Sequence, residues 1–155
     1  MMVGAIHRIA RAIEVNRPYL RFVLAALVID LTGCETTSQH QFAEPSRDWK
    51  VRTGQLMYAS ATATIIGEVV VRFSKSGEFE LTVSKGPGVA LIVVRQDATF
   101  ARVEGPLAGG RWSGRVDQAP PRLRSWLQLR DKLIAAKDRR SLRHVAGAET
   151  FLFRF

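Results

Sequence analysis

The chain has 155 residues, 23 Lys+Arg against 14 Asp+Glu, a formal net charge of +9, 46% hydrophobic residues and one cysteine. That length holds one ordinary domain with little room for a second, and the hydrophobic content is too high for a disordered chain. A single cysteine excludes an intrachain disulfide framework and a cysteine-rich zinc site, and the lack of an apolar run near 20 residues excludes a polytopic membrane protein.

Residues 1–21 carry Arg8, Arg11, Arg17 and Arg21 against the single acid Glu14. The apolar run FVLAALVI follows at 22–29, then Asp30, then Leu31-Thr32-Gly33-Cys34. A basic segment, a short apolar segment and small residues at a cut site follow the order of a secretory signal. Eight apolar residues span only about 12 Å as a helix, far short of the ~30 Å hydrocarbon core, so the run is a poor permanent span. Leu31-Thr32-Gly33-Cys34 resembles the lipobox of bacterial lipoproteins. The resemblance implies lipid attachment at Cys34, removal of residues 1–33 and a mature chain of 34–155. The residue after the cysteine is Glu35; in lipoproteins Asp there resembles an inner-membrane retention signal, so Glu35 favours the outer membrane. The competing reading is a buried helix with an incidental free cysteine. Residues 35–48 (ETTSQHQFAEPSRD) are polar and read as a tether. Fully extended, they reach at most about 50 Å.

From Trp49 the pattern is β. Gln55–Thr64 is mixed, whereas Ile65–Phe73 is rich in β-branched residues, with Gly67 expected as a bulge. Ser76-Gly77 is turn chemistry. Glu78–Ser84 alternates, with Phe79, Leu81 and Val83 on one face, which predicts a half-buried antiparallel strand. After the Gly86-Pro87-Gly88 turn, the apolar run Val89–Val94 is expected to be covered on both faces or to face a ligand. Thr99–Glu104 alternates again, residues 105–110 form a Gly-rich loop, and Arg111–Val116 fits one more short strand. Strands at this spacing suggest a meander.

At Pro120-Pro121 the period changes. Asp117 or Gln118 is the candidate cap, and Pro is tolerated in a first helical turn. Leu123, Trp126, Leu127, Leu133 and Ile134 then recur at helical spacing up to about Lys137. Arg139–Ala146 reads as a second short helix ended near Gly147, and Glu149–Phe155 as a final strand with Phe151, Phe153 and Phe155 on one face. The predicted fold is therefore mainly β with a helical cover: a curved antiparallel sheet or half-barrel with one or two C-terminal helices. The predicted organisation is a signal peptide at 1–33, a tether at 34–48 and one β-rich domain at 49–155.

Charge is uneven. Removing the four arginines and two acids of residues 1–33 leaves +7, of which residues 120–145 supply +6. Such a cluster suits phosphates of nucleic acid, but an exported chain does not meet nucleic acid, and beside a membrane the same charge attracts anionic headgroups. Arg122, Arg130, Arg139 and Arg140 are the candidate contacts with an anionic surface; the plainer reading is a solvated helix face.

No catalytic constellation is visible. His40 lies in the tether, His144 has no ligand-spaced neighbour, no Gly-x-Ser-x-Gly elbow occurs, and loop 105–110 lacks the Lys-Ser/Thr of a phosphate loop. Glu78 and Glu80 share a face and read as solvated strand residues. The expectation is a protein that is not an enzyme and takes no cofactor and no metal.

The middle of the chain carries one further likeness. The stretches Gly77-Glu78-Phe79-Glu80-Leu81, Ser84-Lys85-Gly86-Pro87-Gly88 and Ala101-Arg102-Val103-Glu104-Gly105, in this order with strands between them, resemble the outer-membrane lipoprotein receptor of the lipoprotein-localisation pathway over about residues 49–116. That family implies a half-open curved sheet with helices over its mouth and acyl chains in the cavity. The expected function is then a lipid-anchored, periplasm-facing outer-membrane protein. It would bind a lipid, lipoprotein or other apolar ligand between Phe79, Leu81 and Val83 on one side and Trp126 on the other. The alternative is a structural or assembly lipoprotein that binds an envelope protein through a sheet edge or the basic helix. Expected partners are the membrane, through the anchor, and a lipid or lipoprotein, not nucleic acid.

Overall fold

The computed structural model describes residues 40–155 apart from Pro87; the expected signal peptide and Cys34 lie outside the described residues. Eight strands form one antiparallel sheet in the order β6-β5-β4-β3-β2-β1-β8-β7. The first six, β1 (Lys50–Ala59), β2 (Thr64–Phe73), β3 (Phe79–Ser84), β4 (Ala90–Gln96), β5 (Phe100–Gly105) and β6 (Gly110–Arg115), are a meander. Helix α1 (Pro121–Ala136) follows, and the hairpin of β7 (Ser141–Ala146) and β8 (Glu149–Arg154) returns to lay β8 on the free side of β1.

Register brings the alternating apolar residues into rows on one face. Val71, Leu81, Val94 and Val103 are successive cross-strand neighbours, as are Val69, Val83 and Ile92. Across the other end of the sheet Leu56 faces Phe153. All of these are buried. From α1, Leu123, Trp126, Leu127, Leu129 and Leu133 join the same core. An eight-stranded sheet at about 4.8 Å per strand is about 34 Å from edge to edge, whereas a helix with its side chains is only about 10–12 Å across. Yet α1 packs against both β4 and β7, the third and the last strands of the order. With 16 residues α1 is about 24 Å long, enough to run across the strands from β4 to β7. Among the described residues the sheet is open: β6 bonds only to β5 and β7 only to β8.

Several expectations need correction. Arg139–Ala146 is not a second helix: residues 141–146 are strand β7, with Leu142, His144 and Ala146 alternating against exposed neighbours. Gly147 has φ 59°, a conformation that serves a tight hairpin as well as a helix end, and here it joins β7 to β8 across the pair Ala146↔Glu149. Gly67 is not a bulge, because β1–β2 pairing runs through Leu56↔Gly67 without a shift. It is a close approach instead: a Cβ there would stand 2.6 Å from the Ser84 carbonyl oxygen. The irregularity falls at Val83/Ser84. β4 is not covered on both sides; Ile92, Val94 and Gln96 are buried, Leu91 packs against the core at the irregularity, and Val93 is only partly buried. Asp117 and Gln118 do not cap α1 but form a short 3-10 turn with Val116, and Pro120 takes the cap position. Lys137, at φ 48°, ends the helix.

Candidate functional site

The residues expected to line a ligand cavity are packed into the interior. Phe79 is 2% exposed, Leu81 0%, Val83 1% and Trp126 1%. Trp126 closes the centre, with its ring 5.0 Å from Tyr58 on β1 and 4.9 Å, edge-on, from Phe151 on β8. Such aromatic contacts add to the area they bury. One polar knot sits at the rim of this cluster. The Tyr58 hydroxyl donates to Glu149 Oε1, and the buried Ser125 hydroxyl donates to Glu149 Oε2, so one carboxylate ties β1, β8 and α1. Burial first, then the hydrogen bond and charge of Glu149, push the Tyr58 phenol up to about 12. His144 lies inside β7, stacked 6.1 Å from Phe151. Burial and the neighbouring Lys132 push its imidazole below the usual range. Its Nε2 has no hydrogen-bond partner among the described residues, and nothing around it is arranged as a nucleophile or a metal set. Among the described residues no three His, Cys, Asp or Glu side chains converge, and no helix is long and apolar enough to cross a membrane.

Three open depressions are lined by described residues. One of about 180 Å³ lies on the back of the sheet among Gln55, Met57, Ile66, Leu152 and Arg154. A second, about 450 Å³, is bordered by Asp48, Trp49 and the β2–β3 turn. The third, about 290 Å³, runs between the end of β4 and α1, with Gln96, Arg124 and Asp131 in its wall. None is lined by Phe79, Leu81, Val83 or Trp126.

The basic residues divide into two groups. Arg122 donates to the Ala108 carbonyl and Arg130 to the Gly77 carbonyl, and Arg130 also pairs with Asp131 at 2.6 Å. These two hold loops to α1. Arg139 and Arg140 are exposed in the α1–β7 loop, with Lys137 before them and Arg143 and Arg154 on the strands beyond. None of these five side chains has a carboxylate partner among the described residues. The acid within the loop, Asp138, is taken by Lys50 at 3.2 Å.

The described part of the expected tether is not free chain. His40 Nε2 lies 2.5 Å from Asp97 Oδ2, and its ring stacks on Phe100 at 4.4 Å. Phe42 packs edge-on to His40 and lies beneath the guanidinium groups of Arg95 and Arg102. Glu44 reaches Arg95 at 3.3 Å. Burial opposes the charge on Asp97, but the N–H groups of Thr99 and Phe100 and the His40 ring outweigh it, so the carboxyl sits below its ordinary value. Residues 40–49 thus form a strap from the β4–β5 turn back to the start of β1. The signal available in the sequence was Phe42, the one large apolar residue in the polar stretch 35–48. No protein-family model matches the chain, and a search of curated proteins returns no match.

Proposed function

We propose that the chain is a lipid-anchored protein of the bacterial envelope, held at the outer membrane on its periplasmic side, that binds a partner protein through an open edge of its sheet and is not an enzyme. The lipobox-like Leu31-Thr32-Gly33-Cys34 supports the anchor. The observation that carries the binding mode is β7, a strand hydrogen-bonded on one side only among the described residues. An unpaired edge offers a row of N–H and C=O groups that an extended segment completes as a further strand. β6 is also an edge, but its Arg111 and Arg115 are paired within the chain, to Glu104 and Asp117. β7 carries Val145, 54% exposed, and Arg143 without a carboxylate.

The filled interior weighs on the same side. An apolar ligand in the concavity, as the family resemblance implies, draws support from a sheet of apolar residues under α1. It requires α1 to leave the sheet, against the burial of Trp126, Leu129 and Leu133 at 1% exposure or less. The edge needs no such rearrangement. A photo-crosslinking residue at Val145 in intact cells is expected to give one discrete protein adduct, and the same residue at the exposed Thr53 on the sheet's back none. No adduct at Val145, or the same pattern from both positions, refutes the edge reading.

A further inference from the structure

The two ends of the sheet differ in chemistry. At one end lie the turns after β1, β3 and β5 and the β7–β8 turn, built from residues 60–63, 85–89, 106–109 and 147–148. Lys85 is the one charge in those four segments. At the other end lie the start of β1, the β2–β3 and β4–β5 turns and the α1–β7 loop. There Lys50 meets Asp138, and the guanidinium of Arg52 donates to the Arg139 carbonyl. The backbone N–H of Phe155 bonds to the Arg140 carbonyl. Lys137, Arg139 and Arg140 therefore sit at this second end. Arg154 stands beside Ser141, the first residue of β7, and Arg143 is two residues further along. The result is five exposed cations with no carboxylate partner among the described residues. The strap arrives at this same end, because His40 is fixed on Asp97 in the β4–β5 turn.

We propose that the end of the sheet bearing Lys137, Arg139, Arg140, Arg143 and Arg154 rests on an anionic lipid surface. The proposal rests on the reading of Cys34 as a lipid anchor for its geometry. With residue 40 docked, six peptide steps separate Cys34 from the domain, about 21 Å fully extended, rather than the roughly 50 Å of a free 14-residue tether. The end that carries the strap is then the end that faces the bilayer. Attraction to anionic headgroups fades within a Debye length of about 8 Å at physiological salt, so a short tether is what keeps these cations in range. Each is expected to strengthen the contact about fivefold.

The test uses the full chain with Cys34→Ser, sedimented with vesicles of phosphatidylcholine alone or with phosphatidylglycerol added. The chain is expected to prefer the anionic vesicles and to lose that preference in high salt. Arg139→Gln with Arg140→Gln is expected to weaken anionic partition about 30-fold. The charge-matched control Lys85→Gln with Arg111→Gln, at the opposite end, leaves it unchanged. Equal losses in the two double variants overturn the proposal, because they make the attraction a matter of net charge. No preference for anionic vesicles overturns it as well and leaves the corner to an acidic protein. Intact mass of the membrane-extracted chain tests the anchor separately: an unmodified Cys34 removes the tether geometry, while the vesicle result still decides the basic surface.

Discussion

Replacing Trp126 by Ala asks whether α1 is a packed element of the core or a loose cover. The indole is 1% exposed and wedged between Tyr58 and Phe151. A tryptophan of this kind buries about 150–250 Å², which at ~25 cal/mol per Å² is about 4–6 kcal/mol, an upper bound because the unfolded chain is not fully extended. Truncations of buried Trp to Ala commonly cost about 3–5 kcal/mol. At about 4 °C per kcal/mol for a domain of this size, Trp126→Ala is expected to lower Tm by about 12–20 °C. Urea unfolding followed by circular dichroism should show the midpoint falling with little change in slope. A loss below about 1 kcal/mol, within the range of surface substitutions, would refute the packing argument. It would turn attention back to a helix that opens over a ligand. In that case the variant would keep its stability and lose binding of an apolar probe.

Two further perturbations test the rim and the strap. The Tyr58 phenol, raised to about 12 against an ordinary value near 10, contributes stability that is fully present below pH ~10 and is lost as pH climbs through the raised value. Difference absorbance between the parent chain and Tyr58→Phe should place its ionisation there, and Glu149→Gln should bring it down; an ordinary midpoint in the parent would show that the phenol is neither buried nor bonded to Glu149 as described. His40→Ala with Phe42→Ala removes both rings that attach the strap to Phe100 and Asp97, and is expected to speed trypsin cleavage at the exposed Arg47 several-fold with Tm nearly unchanged. Cleavage at the parent rate would mean that residues 40–49 are held by other contacts.

The strands and the helix follow from local periodicity. Phe79, Leu81 and Val83 alternate with polar neighbours, and Leu123, Trp126, Leu127, Leu133 and Ile134 fall on one face at the helical period. Each pattern can be satisfied by only one kind of element with one buried face. Where the local signal was ambiguous, partners decided. Ser141–Ala146 is too short and too mixed for its period to separate strand from helix, and Gly147 suits the end of either; the edge of β8 made it a strand. The sheet-edge reading was available only as an alternative, because a sequence shows which residues face inward but not whether the space they face is filled.

Some decisions came from groups far apart in the chain. Tyr58, Ser125 and Glu149 share one carboxylate across 91 residues. His40 finds Asp97, and Arg122 and Arg130 are spent on carbonyls that no spacing connects to them. By itself the sequence determined the buried face of β3 and of α1 and the uneven charge of the chain, since these depend on neighbours within one or two turns. The course of α1 across the sheet, the placement of β8 on β1, the strap, and which cations stay unpaired among the described residues were decided only in the tertiary structure. Those features depend on pairings between distant segments, and a local pattern permits many such pairings while only packing selects one.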